Sequence, residues 1–135
     1  MTASDLLAVP ADWVTLRTRT EEGKPIVVLL DRAIATTAPY PDFTCQVAVA
    51  VPFSDTPDGL PGEDDVARLR QLEQQLVDAA TGVGRLVAVM TLESLREWVL
   101  YARSTEWAVP FAEAGISVQI GEDPDYQGLL ELAGA

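Results

Sequence analysis

The chain has 135 residues, with 9 Lys and Arg against 21 Asp and Glu, no His, one Cys, 48% apolar residues and a net charge of −12. That is the length of one domain with enough apolar content for a real core, and its charge argues against nucleic acid and anionic membrane as partners. Without histidine there is no Ser-His or Cys-His nucleophile pair and no His-containing zinc site, and Cys45 alone makes no internal disulfide.

Residues 1–11 read as an N-terminal tail, and residues 12–135 as a single α+β domain. The tail lacks the basic region of a signal peptide, and no window reaches the roughly 18 apolar residues of a membrane span. A cytoplasmic protein is the expectation. Residues 13–19 alternate, with Val14, Leu16 and Thr18 on one side, and predict a strand. Glu21-Glu22-Gly23-Lys24-Pro25 is turn chemistry, and residues 26–34 predict a second strand paired antiparallel with the first. Two prolines make 38–42 a loop. Residues 43–53 form the clearest strand, with Cys45, Val47, Val49, Val51 and Phe53 on one side.

After a Pro- and Gly-rich loop over 54–62, Glu63-Asp64-Asp65 opens a helix whose first turn favours acids. Val66, Leu69, Leu72, Leu76 and Ala80 form its apolar stripe, and Gly82 and Gly84 stop it. Strands over 85–92 and 96–102 follow, joined by Glu93-Ser94-Leu95. Ser104 is a candidate N-cap for a helix over 105–114, kinked or shortened by Pro110. Residues 116–120 alternate as a last strand, and Asp123-Pro124 reads as N-cap and first position of a C-terminal helical turn. The order β-β, then β-α-β-β-α-β, predicts a ferredoxin-like split βαβ antiparallel sheet with both helices on one face. The N-terminal β-hairpin extends that sheet, and a short C-terminal helix ends the chain.

The chain resembles a bacterial family known as domain of unknown function 695. The resemblance covers roughly residues 12–132. It rests on Trp13, Glu22-Gly23-Lys24-Pro25, Val51-Pro52-Phe53 before an acidic loop, Gly84-Arg85, Arg96-Glu97-Trp98 with Tyr101, and Asp123-Pro124-Asp125-Tyr126, in that order. Where the family favours Asp-Pro-x-Trp and a later Tyr, this chain has Tyr126 and Leu129. The family is similar to domains like regulator B of ribonuclease E, an acidic protein inhibitor. The resemblance implies an interaction module by analogy.

The candidate ligand or partner surface consists of Trp13, Arg17, Arg19, Trp98, Tyr101 and Arg103. Trp98 reads first as core, with ligand stacking the alternative. Arg17 and Arg19 suit an anionic partner or simply guard an edge strand. Asp55, Asp58 and Glu63 are weak metal candidates, because their spacing lacks the ligand alternation of a calcium loop. Cys45 reads as structural. No catalytic residue, metal or cofactor is expected. The leading expectation is a non-enzymatic interaction or regulatory domain that binds a protein partner or a second copy of itself. A small-ligand domain using the open sheet face is the alternative, and a metal-assisted hydrolase stands behind both. The charge is concentrated: residues 55–65 and 104–135 carry five and six acids with no base. The expected topology places these segments at opposite ends of the sheet, as two acidic poles.

Overall fold

The alternation over 43–53 becomes an interior strand of the sheet, with Val47, Val49 and Val51 buried on one side and small Ala48 and Ala50 on the other. A computed structural model describes residues 5–134. Its strands are β1 (Trp13–Arg19), β2 (Pro25–Asp31), β3 (Cys45–Pro52), β4 (Gly84–Leu92), β5 (Leu95–Ala102) and β6 (Ser117–Glu122). They form one open antiparallel sheet in the order β1-β2-β4-β5-β3-β6. The helices are α1 (Arg32–Thr37), α2 (Glu63–Ala80), α3 (Val109–Glu113) and α4 (Gln127–Gly134), with 3-10 turns at Leu6–Ala8 and Glu106–Ala108. None is long and apolar enough to cross a membrane.

Each face of the sheet has its own core. On the first, Val47, Val49 and Val51 of β3, Val89 of β4, and Trp98 and Leu100 of β5 pack against Leu69, Leu76 and Ala80 of α2 and against Ala108. Fully burying one such side chain contributes about 1.5–3 kcal/mol. On the second, Val28, Leu30, Ala88, Val99 and Tyr101 pack against Leu6, Ile34 of α1, Tyr40, Phe43, Tyr126 and Leu129 of α4.

The two helical segments of the expected split βαβ, α2 and the 106–113 segment, do share one face, with Trp107 and Phe111 packed against the first core. The second core is built by α1, expected as strand, and by the C-terminal α4. The strand expected over 26–34 stops at Asp31, whose carboxylate accepts the Ala33 amide and starts α1. Pro124 does not open the last helix. Tyr126 takes φ 57°, the chain folds back, and α4 begins at Gln127. The helix expected over 105–114 splits into the 3-10 turn and the five-residue α3, with Pro110 in α3's first turn, where its missing N–H costs nothing. Part of the supposed tail also belongs to the core, since Leu6 is fully buried. Residues 1–4 of that tail lie outside the described residues.

The β4–β5 connection is a two-residue turn, with Glu93 and Ser94 both at positive φ as tight hairpins require. The 54–62 loop docks on it through a 2.9 Å bond from the Ser94 amide to the Gly59 carbonyl. Gly59 has φ 73°, and a Cβ there would lie 2.8 Å from Glu93 Cα. The acidic segments sit at opposite ends of β3. Asp65 accepts the Ser54 amide just past Pro52, and the Asp123 amide donates to the Thr44 carbonyl just before Cys45.

Candidate functional site

α2 covers β3, β5 and β4 but does not reach the outer hairpin β1–β2. The same face of that hairpin is left open, and a groove of about 700 Å³ runs between it and the C-terminal half of α2. Leu7, Val9 and Ala11 of the N-terminal segment and Thr81, Gly82 and Gly84 after α2 also line it. Trp13 (44% exposed), Leu29 (39%) and Val77 (39%) stand around it, so three large apolar side chains face water at one place. Clustered exposure of that kind marks a binding surface more often than a lone exposed leucine does.

The polar groups of the groove are already engaged. Asp31, fully buried, accepts Arg85 Nη2 at 2.7 Å through one oxygen and the amides of Asp12 and Ala33 through the other. Arg85 Nη1 donates to the carbonyls of Leu6 and Val9. This pair clamps the N-terminal segment, β2, α1 and β4 together. Glu73, on the rim, accepts the Trp98 indole N–H at 3.0 Å. An occupant therefore meets an apolar trough with one carboxylate at its edge.

The opposite face holds a sealed polar cluster. The Tyr101 hydroxyl donates to Asp123 Oδ2 at 2.6 Å and accepts from Gln46 Nε2 at 3.0 Å. Asp123 also caps the start of α4 by accepting the Gln127 and Gly128 amides. The Tyr126 ring stacks on Tyr101 at 3.9 Å, and its hydroxyl donates to the Phe43 carbonyl. Burial pushes both phenols above their ordinary pKa, reinforced for Tyr101 by Asp123. Burial alone would raise Asp123, but the Tyr101 hydroxyl and the two amides outweigh it and hold the carboxyl below its usual value. Every polar group is matched inside the protein, so the cluster is a structural lock.

The six surface candidates do not come together. Trp98 and Tyr101 have no exposed surface and lie on opposite faces of β5, one under α2 and the other under Tyr126. Arg103 crosses to the Gly82 carbonyl and lies 5.5 Å over the Phe43 ring. Arg19 bonds the Gly23 carbonyl within its own hairpin. Trp13 and Arg17 stand exposed on β1. The open sheet face is thus covered near Tyr101, and its remaining strip of Ala48, Ala50 and Glu97 carries no aromatic side chain. Asp58 accepts from Thr56 and the Leu60 amide, closing its own loop. Among the described residues no three carboxylate or thiol groups converge as a metal site would need. The Cys45 thiol is pushed up by burial and by Glu122, the reverse of activation.

The residues missed from sequence are Leu29, Glu73, Val77 and the Asp31–Arg85 pair. One signal was present: Asp31 before Arg-Ala-Ile-Ala is an N-cap ahead of helix formers. Comparison with curated proteins and with solved structures returns no match. The model of the family of unknown function DUF695 matches residues 11–128, from the segment behind Trp13 through the Asp123 cap of α4, and the chain belongs to that family.

Proposed function

We propose that this chain is a non-enzymatic, cytoplasmic interaction domain whose groove takes an apolar side chain of a protein partner with basic flanks. One observation carries it: Trp13, Leu29 and Val77 are exposed together around an apolar trough whose ion pair is spent on the fold. The basic flanks follow from the net charge of −12, which speeds and orients encounter with cations. A single free cysteine suits a reducing compartment. The unit β3-α2-β4-β5-α3-β6 reads as a ferredoxin-like split βαβ, a reading supported by its strand order β6-β3-β5-β4, with the β1–β2 hairpin added beside β4.

The test uses a short Lys-flanked peptide with one central Leu, and a control with Ala in its place. The Leu peptide should bind at low salt, weaken as salt rises, and lose affinity when Leu29→Ser or Val77→Ser is introduced. Equal binding of the Ala control would show charge attraction without a pocket and would end this reading.

A further inference from the structure

We infer that β1 is a docking edge for a second copy of this chain, the two strands pairing antiparallel about a two-fold axis at Leu16. This stands on the sheet's edge and does not need the groove, although Trp13 belongs to both. The Arg32 amide donates to the Asp12 carbonyl and the Thr20 amide to the Lys24 carbonyl, each at 2.8 Å, one at either end of the β1–β2 ladder. Antiparallel ladders alternate, so the even-numbered residues of β1 bond β2. Trp13, Thr15, Arg17 and Arg19 then direct their N–H and C=O groups outward. All four side chains are exposed, as is Leu16, and the β1–β2 register has no bulge to twist the edge away.

Two-fold pairing must match odd residues with odd ones, which leaves few registers. Placing Leu16 opposite Leu16 puts Thr15 opposite Arg17 and Trp13 opposite Arg19, each twice by symmetry, and uses all four outward residues. Trp13 then offers its ring to a guanidinium, and the two exposed Leu16 side chains cover each other. Moving the axis to position 17 sets Arg17 against Arg17, and like charges directly opposite are destabilising. Moving it to position 15 pushes Arg19 beyond the partner's strand.

Charge explains why the meeting edge is β1 and not β6. Two copies at −12 repel, but residues 11–32 carry Arg17, Arg19, Lys24 and Arg32 against Asp12, Glu21, Glu22 and Asp31, and are neutral. The β6 edge lies within a segment of six acids and no base. A seven-residue strand pair is small beside standard interfaces, so association depends on concentration.

Sedimentation equilibrium should show the average mass rising from 14.5 kDa toward twice that value as concentration increases. Thr15→Glu sets a carboxylate opposite Arg17 and should tighten the dimer by roughly threefold to tenfold, while Thr15→Arg should loosen it by a similar factor. Both sites are exposed, so neither effect needs a change in folding. In a Cys45→Ser background, Leu16→Cys should cross-link to itself under mild oxidation, and Thr15→Cys should not. A monomer at every soluble concentration overturns the inference. So does a dimer indifferent to the charge at position 15, or one that cross-links through position 15 and not 16.

Discussion

The two halves of this sheet are finished to different degrees. Around β3 and β5, α2 covers one face and the tyrosine cluster covers part of the other, Trp98 and Tyr101 are fully buried, and the polar groups of the Tyr101 cluster answer one another. Around β1 and β2, one face is open beside α2, an apolar rim stands in water, and a long edge is bare. The outer half is nonetheless firmly held, because the buried Asp31–Arg85 pair ties it to β4 and to the N-terminal segment. An open surface on a firm anchor is what the proposed recognition requires.

That contrast is most sharply broken at Asp31. Asp31→Ala leaves Arg85 without its anion and two backbone amides without an acceptor, and should cost about 3–5 kcal/mol in denaturant unfolding. Loss of under about 1 kcal/mol would mean that the outer half is loosely attached. In the finished half, Tyr101→Phe removes the phenol from Asp123 and Gln46 and should cost about 1–3 kcal/mol.

The sealed cluster also sets pH limits. A phenol raised in the fold contributes stability that is complete below its ordinary value of 10.0 and declines as pH rises past it. Asp123 is lowered, so its contribution is present above the ordinary 3.8 and disappears as pH falls through the folded value. Thermal melts across pH should therefore show an alkaline decline that Tyr101→Phe makes shallower. An unchanged alkaline limb in that variant would place the titration elsewhere. The smallest effect belongs to the rim: Trp13→Ala should move unfolding by no more than about 0.5 kcal/mol, as surface changes do, while abolishing binding of the Leu peptide.

Local pattern explains what was legible in the sequence. β1 falls on its expected bounds of 13–19, and α2 opens at Glu63 as expected and ends at Ala80, the last residue of the expected stripe, because alternation over seven residues and a stripe from Val66 to Ala80 are strong signals. The alternation of β5 sends Trp98 and Tyr101 to opposite sides. It could not say that both sides would be covered, because that depends on Tyr40 and Phe43 in a proline-bearing loop and on Tyr126 at a reversal, contacts remote in sequence. The groove was equally hidden. It exists where α2 fails to reach β2, and no residue pattern reports the lateral reach of a helix across a sheet.

The three indoles offer a direct test of the claim that recognition belongs to the outer half. Trp13 is on the groove's rim, Trp98 donates to Glu73 at the groove's edge, and Trp107 donates to the Ser104 carbonyl in the finished half. Their N–H signals can be followed by nuclear magnetic resonance while the Lys-flanked Leu peptide is added. The Trp13 signal should move most, the Trp98 signal less through Glu73, and the Trp107 signal not at all. A saturating titration that shifts Trp107 and leaves Trp13 in place would contradict the account.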